Sequence, residues 1–595
     1  MEKIESERLF LSQEEVKLKT FKRIEEVEDF VNSKTIPVGF EIDEEGLWFL
    51  EDGKNKVPKR EWVCSLLFVT GYTRDEKNQN HGRILEFKDI DNYKHIWPMP
   101  MDLLSSDGGK ILGVLWGMGL QISTKRKAKE KLLEYITRCT PIQRARIVMQ
   151  TGWHEGLFVL PNETVGYISK ERVIYQNLTN TDSKLEILGS LIDWKKNIAS
   201  KAIGNSRLIL AISSSFSASL LHLMNHENIG VHYRGNSSLG KSTAEYVANS
   251  VWGGPSGIQT FRATSNGLEG IASLHNDRLL CLDELGQISS LEAGHVIYML
   301  GNGLGKGRAN NLGLAKKPAK WRLIFLSTGE LSLSQLMNEV GKKIKAGQEV
   351  RFIDIPADTG VHGLFENLHE FDNGAHFSKY LQDASKKYYG AASRDFLRSL
   401  VEDLNGSVIF LKGVINELEK LYLPKNASAQ VIRVFNHLSL IAAGGELATK
   451  FEITGWEKDE ASKGVIKCFN DWLSTKGNCG LYEERGAIIQ VRSFFELHGE
   501  SRFSQWNQNV DDNIKTNNRV GFRKSESNSL EFYVFKEAFR GEICKGLDYR
   551  FVEKILIKQG CLITDCNGNP TRSEKLPGYS STFRCYKFGS EILNI

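Results

Sequence analysis

At 595 residues the chain is too long for a single hydrophobic core, and its 41% hydrophobic, 25% charged and 10% aromatic content excludes a disordered, collagen-like or coiled-coil protein. The 77 basic and 73 acidic residues leave a formal charge of only +4, so a basic binding site has to be local rather than a property of the whole surface. Nine cysteines without a Cys-x-x-Cys pair, and no basic-then-apolar leader in residues 1–8, read as a chain with reduced thiols in the cytoplasm.

In chain order, residues 1–36 are charge-rich and predict a peripheral polar helix. Residues 37–184 change to short apolar runs broken by Gly, Asp and Asn, the pattern of an α+β accessory domain. One helix interrupts them over 125–136, with Thr124 as its expected N-cap. The longest uncharged stretch, 208–224, holds five serines and His222, so it reads as a buried helix rather than a membrane span. Over 185–360 helices alternate with short apolar strands at 229–233, 258–261, 279–282, 321–326 and 350–355, the signature of an α/β core with a parallel sheet. Residues 361–455 are helical in period. The region 456–595 ends, from about 500, in helix, helix and hairpin, which predicts a winged helix. There, Asp548 caps a helix that Gly560 ends, and Asn567-Gly568 marks the hairpin turn.

Gly235, Asn236, Ser237, Ser238, Leu239, Gly240, Lys241 and Ser242 fit the phosphate-loop pattern G-x-x-x-x-G-K-[ST], with Thr243 continuing the cradle into a helix. Glycines let the backbone curl so that successive N–H groups face a triphosphate, and the helix start adds its positive dipole end. Lys241 would neutralise the terminal phosphates, and the Ser242 hydroxyl would ligate Mg²⁺. Forty-two residues downstream an apolar strand ends in Asp283 and Glu284. Adjacent acids have no packing use there, but at the C-terminal end of a parallel strand Asp283 would hold Mg²⁺ and Glu284 would act as general base toward water. The conclusion from these residues is a nucleoside-triphosphate-hydrolysing enzyme.

Three further features narrow the class. The 321–326 strand runs on to Ser327 and Thr328; with the phosphate strand inserted beside it, Thr328 would stand near the γ-phosphate. Arg351 leads the next strand at an edge that faces away from the chain's own nucleotide, where it could serve a neighbouring subunit as a finger. A helix around Arg433 offers a second phosphate sensor. Together these parts resemble the AAA+ ATPases, and the Arg351-Phe352 pair and the Arg433 helix resemble the MCM-type helicase branch. The runs at 301–308, 327–330 and 353–357, with Gly455-Trp456 and residues 497–503, are similar to a helicase-like domain family of phages and mobile islands. Its better-understood members are the self-loading, MCM-like replicative helicases of staphylococcal cassette chromosomes. The resemblance implies an AAA+ core over 185–360, a helical lid over 361–455, ATP and Mg²⁺ as cofactors, and a homo-hexamer that unwinds DNA. One departure is that MCM proteins carry asparagine where Thr328 or Ser327 stands here.

Residues 301–320 hold five glycines, five basic residues and no acid. In a ring of subunits such an insertion would line the pore, with Lys306, Arg308, Lys316 and Lys317 gripping the DNA backbone without reading sequence. Basic residues of the tail, Arg550, Lys554, Lys558, Arg572, Lys575 and Arg584, would suit duplex DNA or a protein. Alternatives are a translocating or remodelling ATPase that does not separate strands, and an ATP-gated assembly factor.

Overall fold

The computed structural model describes residues 36–51, 59–105, 107–166, 171–176, 185–309, 313, 315–476, 482–507, 516–526 and 529–593. The N-terminal helix expected over 1–36 and the Asn310-Asn311 turn lie outside them. The chain forms two compact units: one runs to Leu423 and takes in Arg433–Trp472, and the other comprises Pro424–Ile432 and Leu473–Ile595.

The first unit begins with the strands and helices expected of an α+β region. A five-stranded sheet is ordered Arg172–Tyr175, Gln143–Val148, Leu67–Asp75, Gly82–Lys88 and Lys94–Pro100. One apolar cluster, including Leu67, Val69, Leu85, Ile111, Leu132 and Ile136, joins this sheet to the helices Gly109–Gly117 and Arg126–Arg138. Thr124 is not the cap of the second helix: Lys125 takes that place, without a side-chain hydrogen bond. The basic residues of this helix are largely neutralised, with Lys127 on Glu51, Lys131 on Glu134 and Arg126 on Glu130.

The α/β core follows. Helix α1 (Ser206–Ser217) is buried along its whole length. Its serines are compatible with that burial because several hydroxyls bond to carbonyls: Ser214 to Leu210, Ser215 to Ala248 and Ser217 to Leu440 and Ile441. Among the described residues no helix is long and apolar enough to cross a membrane. The main elements after α1 are β1 (Ile229–Arg234), α2 (Lys241–Ser250), β2 (Gln259–Thr260), α3 (Ser265–Leu274), β3 (Arg278–Asp283), α4 (Ala293–Asn302), β4 (Leu323–Gly329) and β5 (Phe352–Pro356). Their strands form one parallel sheet in the order β2-β3-β4-β1-β5. The central strands are apolar on both faces, as helices on either side of a parallel sheet require, and β4 is buried at every residue. The phosphate-loop strand β1 therefore lies between the strands carrying Thr328 and Phe352, as the sequence pattern predicts. Because strand direction is shared, the ends of β1, β3 and β4 meet on one edge of the sheet, and the starts of β1, β4 and β5 on the other.

Helix α5 (Gly374–Ser385) and three more, Ala391–Glu402, Leu404–Tyr422 and α6 (Ala429–Lys450), fill most of the stretch read as helical. The second unit contains a sheet ordered Phe503–Gln505, Gly521–Glu526, Ser529–Phe535, Phe583–Phe588 and Leu562–Ile563, with Arg572–Glu574 pairing Phe583–Phe588. Asp548 does cap the helix Tyr549–Lys558, accepting from the Arg550 N–H, and Gly560 follows it at φ 75°. The strands between 503 and 535 make this unit larger than the helix, helix and hairpin that the sequence pattern showed.

Candidate functional site

The loop 235–240 turns sharply from β1 into α2. Gly240 has φ 99° and Ser238 φ 65°, both left-handed, which is strained for a side-chain-bearing residue and free for glycine. Gly235 serves differently from expectation: its φ is not left-handed, but a Cβ there would stand 2.6 Å from Leu239 Cδ1. Lys241 is buried, and its Nζ donates to the carbonyls of Gly235 (2.7 Å) and Asn236 (2.6 Å), filling the hollow of the loop. Ser242 is exposed at the start of α2, whereas Thr243 faces α5, 2.5 Å from the Ser378 hydroxyl and within reach of Gln382.

The acids arrive from β3 and the hydroxyl from β4. Thr328 Oγ1 donates to Asp283 Oδ1 at 2.5 Å and accepts the Glu284 backbone N–H at 3.1 Å. Strand pleating decides between the two hydroxyls. Ser327, on the opposite face, meets the ring of His232 at 3.0 Å, so Thr328 is the one beside the acids. Burial pulls the His232 ring down to about 4, so it is neutral there. Glu284 sits at φ 56° just past β3, its Oε1 accepting from the Gly286 N–H. Loop, acids, Thr328 and α5 enclose a cavity of about 620 Å³, a volume in the range of small-molecule sites.

Sequence reasoning missed Glu245, one turn beyond Ser242 on α2. It is 1% exposed, and neither carboxylate oxygen has a hydrogen-bond partner. Burial and the neighbouring Asp283 and Glu284 push its carboxyl well above the ordinary range. The Ser242 hydroxyl and the Asp283 carboxylate, both lining the cavity, give an oxygen donor set that suits Mg²⁺. Among the described residues no cluster of three or more Asp, Glu, His or Cys side chains is placed to hold a metal. A magnesium ion shared with substrate phosphates needs only one or two protein carboxylates, so the residues fit.

Arg351 and Arg433 do not line this cavity. They lie at the opposite sheet edge, where Arg351 leads β5 beside the start of β1; at roughly 3.3 Å per residue, β1 separates the two edges by about 16 Å. Both are bound there by Glu227, just before β1, at 3.0 Å and 2.6 Å. The basic insertion does contain a short antiparallel pair, Arg308–Ala309 with Ala315–Lys316. Arg308 is tied to Glu269 and Lys306 to Ser265, whereas Lys317 is exposed.

A family model described as a domain of unknown function (DUF927) matches residues 40–320. No curated protein matches the sequence. The solved structure titled "SCCmec type IV Cch - active helicase" is similar over 95% of this chain and 100% of its own, with 19% identity and a TM-score of 0.68. The fold is helicase-like. That likeness extends beyond the α/β core to nearly the whole chain, and at this identity it speaks for the fold alone.

Proposed function

We propose that this chain is an AAA+ ATPase that works as a DNA helicase, assembled as a ring, in which ATP bound at the 235–243 loop is hydrolysed between neighbouring copies. The observation that supports it most is the meeting of Lys241, Asp283, Glu284 and Thr328 at the ends of adjacent parallel strands around one cavity. The helicase-like fold favours DNA as the polymer moved. In this reading 361–455 is the lid, the 308–316 strand pair lines the pore with Lys306, Arg308, Lys316 and Lys317 toward DNA, and the second unit supplies a winged-helix element.

The residues divide the work. The loop N–H groups and Lys241 hold the phosphates. Glu284 takes a proton from the attacking water, and Thr328 fixes the Asp283 carboxylate by its 2.5 Å bond. Ser242 and Asp283 would hold Mg²⁺, which when bound neutralises charge on the phosphate oxygens. Arg351 from the adjacent copy would stabilise charge building on the γ-phosphate, and Arg433 would accompany it.

Two outcomes test this reading. The purified protein should hydrolyse ATP faster with DNA present and displace a strand from tailed forks; hydrolysis without displacement would instead mark a translocase or remodelling ATPase. Thr328→Val keeps the shape but removes the bond to Asp283 and the acceptor for the Glu284 N–H. Turnover should fall about tenfold or more while magnesium-free nucleotide binding is unchanged, as comparison of steady-state rates with dialysis would show.

A further inference from the structure

Glu227 stands where the starts of β1, β4 and β5 come together, and nothing in the phosphate-loop chemistry calls for it. Its Oε1 accepts from Arg433 at 2.6 Å, and its Oε2 lies 3.0 Å from Arg351. The His437 ring is 3.6 Å away, buried, and drawn down to about 3 by burial first and by neighbouring His226 next, so it adds no positive charge. One carboxylate between two guanidiniums leaves a net positive pair. Each guanidinium commits one edge to Glu227: Arg351 gives another N–H to the Gly347 carbonyl at 3.1 Å, and its Nε is buried without a partner. Beside them opens a second cavity of about 410 Å³, lined by Glu227, Arg351, Arg322 and Lys320. Arg433 is 42% and Glu227 33% exposed, and partly exposed pairs add little to folding stability. The arrangement therefore calls for a reason other than holding the fold together.

We propose that Glu227 is a positioning residue that holds Arg351 and Arg433 as one two-armed cationic fork, aimed at the triphosphate of the adjacent copy. This rests on the shared-site reading above. Arg351 comes from the loop before β5 and Arg433 from α6, so without a common anion between them two like charges on separate elements would part. A fixed spacing matters because a second donor stabilises charge on the γ-phosphate only if both reach it together. The other titratable and charged groups facing this place are Arg322, Lys320, Asp277 and His222 in the cavity, the His226 ring, drawn down by burial, and the His437 ring.

The test uses four variants, three of them in subunit mixing. Glu227→Gln should unfold at the wild-type temperature, hydrolyse ATP at least about tenfold more slowly, and keep KM within about twofold, because its own phosphate loop is intact. Glu227→Asp, whose shorter carboxylate reaches one arm, should fall between. Glu227→Gln subunits mixed with Lys241→Ala subunits should regain turnover, since one supplies the loop and the other the fork. Mixed with Arg351→Ala subunits they should regain none, because both are defective at the same face. Recovery in that last mixture, or undiminished turnover by Glu227→Gln alone, would overturn the fork. If Lys241→Ala and Arg351→Ala subunits fail to rescue each other, the shared site itself falls and the fork with it. A fork-specific failure is recognised because that control mixture still recovers.

Discussion

Lys241→Ala should leave the fold intact and remove ATP turnover, with a loss on the order of 10²–10³-fold or more, the scale seen when one preorganised charge-stabilising donor is deleted. The geometry gives the reason. Lys241 is 8% exposed, and its ammonium already sits inside the loop, bonded to the Gly235 and Asn236 carbonyls. A bound phosphate chain would draw the ammonium away from those carbonyls over a short distance, and among the described residues lining the cavity the only other lysine is Lys379, on α5. Alanine deletes the charge and leaves those two carbonyls facing the phosphates. Nucleotide binding by equilibrium dialysis and phosphate release should both collapse, while circular dichroism stays that of the parent. Wild-type turnover in this variant would mean that the loop is an accidental glycine- and serine-rich turn and would remove the foundation of the functional reading.

What could be read in the sequence was what is local in it. The loop is eight consecutive residues whose types are dictated by backbone curvature and anion binding, and the acids follow a run too apolar to be anything but a buried strand. The insertion of β1 between β4 and β5 was part of the sequence reading, whereas the places of β2 and β3 come from the strand pairing. Pleat parity was not legible. Ser327 and Thr328 are adjacent hydroxyls, and only the pairing of β4 with β1 and β3 shows that one meets His232 and the other Asp283. Glu245 was invisible because an acid in a helix usually faces water, and its burial follows from α2 packing on β3. Glu227 was equally hidden: its two arginines lie 124 and 206 residues away (351 − 227 and 433 − 227), and no periodicity links them. Arg433 was read as a phosphate sensor with no place in the sheet assigned to it, and its position beside Arg351 at the edge away from the loop comes from the packing of α6. The strands of 503–535 were missed where alternation is interrupted by polar residues such as Arg523, Lys524 and Ser525. For Thr328, Glu245, Glu227 and Arg433 the missing information is a contact between distant segments, which composition and spacing do not encode.

Glu284→Gln should separate binding from cleavage. The substitution keeps the length and an acceptor oxygen for the Gly286 N–H, so the left-handed turn at φ 56° after β3 should persist. What is lost is a carboxylate able to take a proton from water, and general-base catalysis is worth on the order of 10²–10⁴-fold. Turnover should drop by that scale while ATP affinity is retained, and bound ATP should persist long enough to trap any nucleotide-dependent assembly of copies. Light scattering with the variant would read that assembly directly. Asp283→Asn gives the contrast: the neutral side chain can still accept from Thr328 Oγ1 but is a poor ligand for a divalent cation, so magnesium dependence of nucleotide affinity should weaken along with the rate. If Glu284→Gln weakened binding as much as turnover, Glu284 would be holding the nucleotide rather than the water, and the two adjacent acids would have to exchange roles.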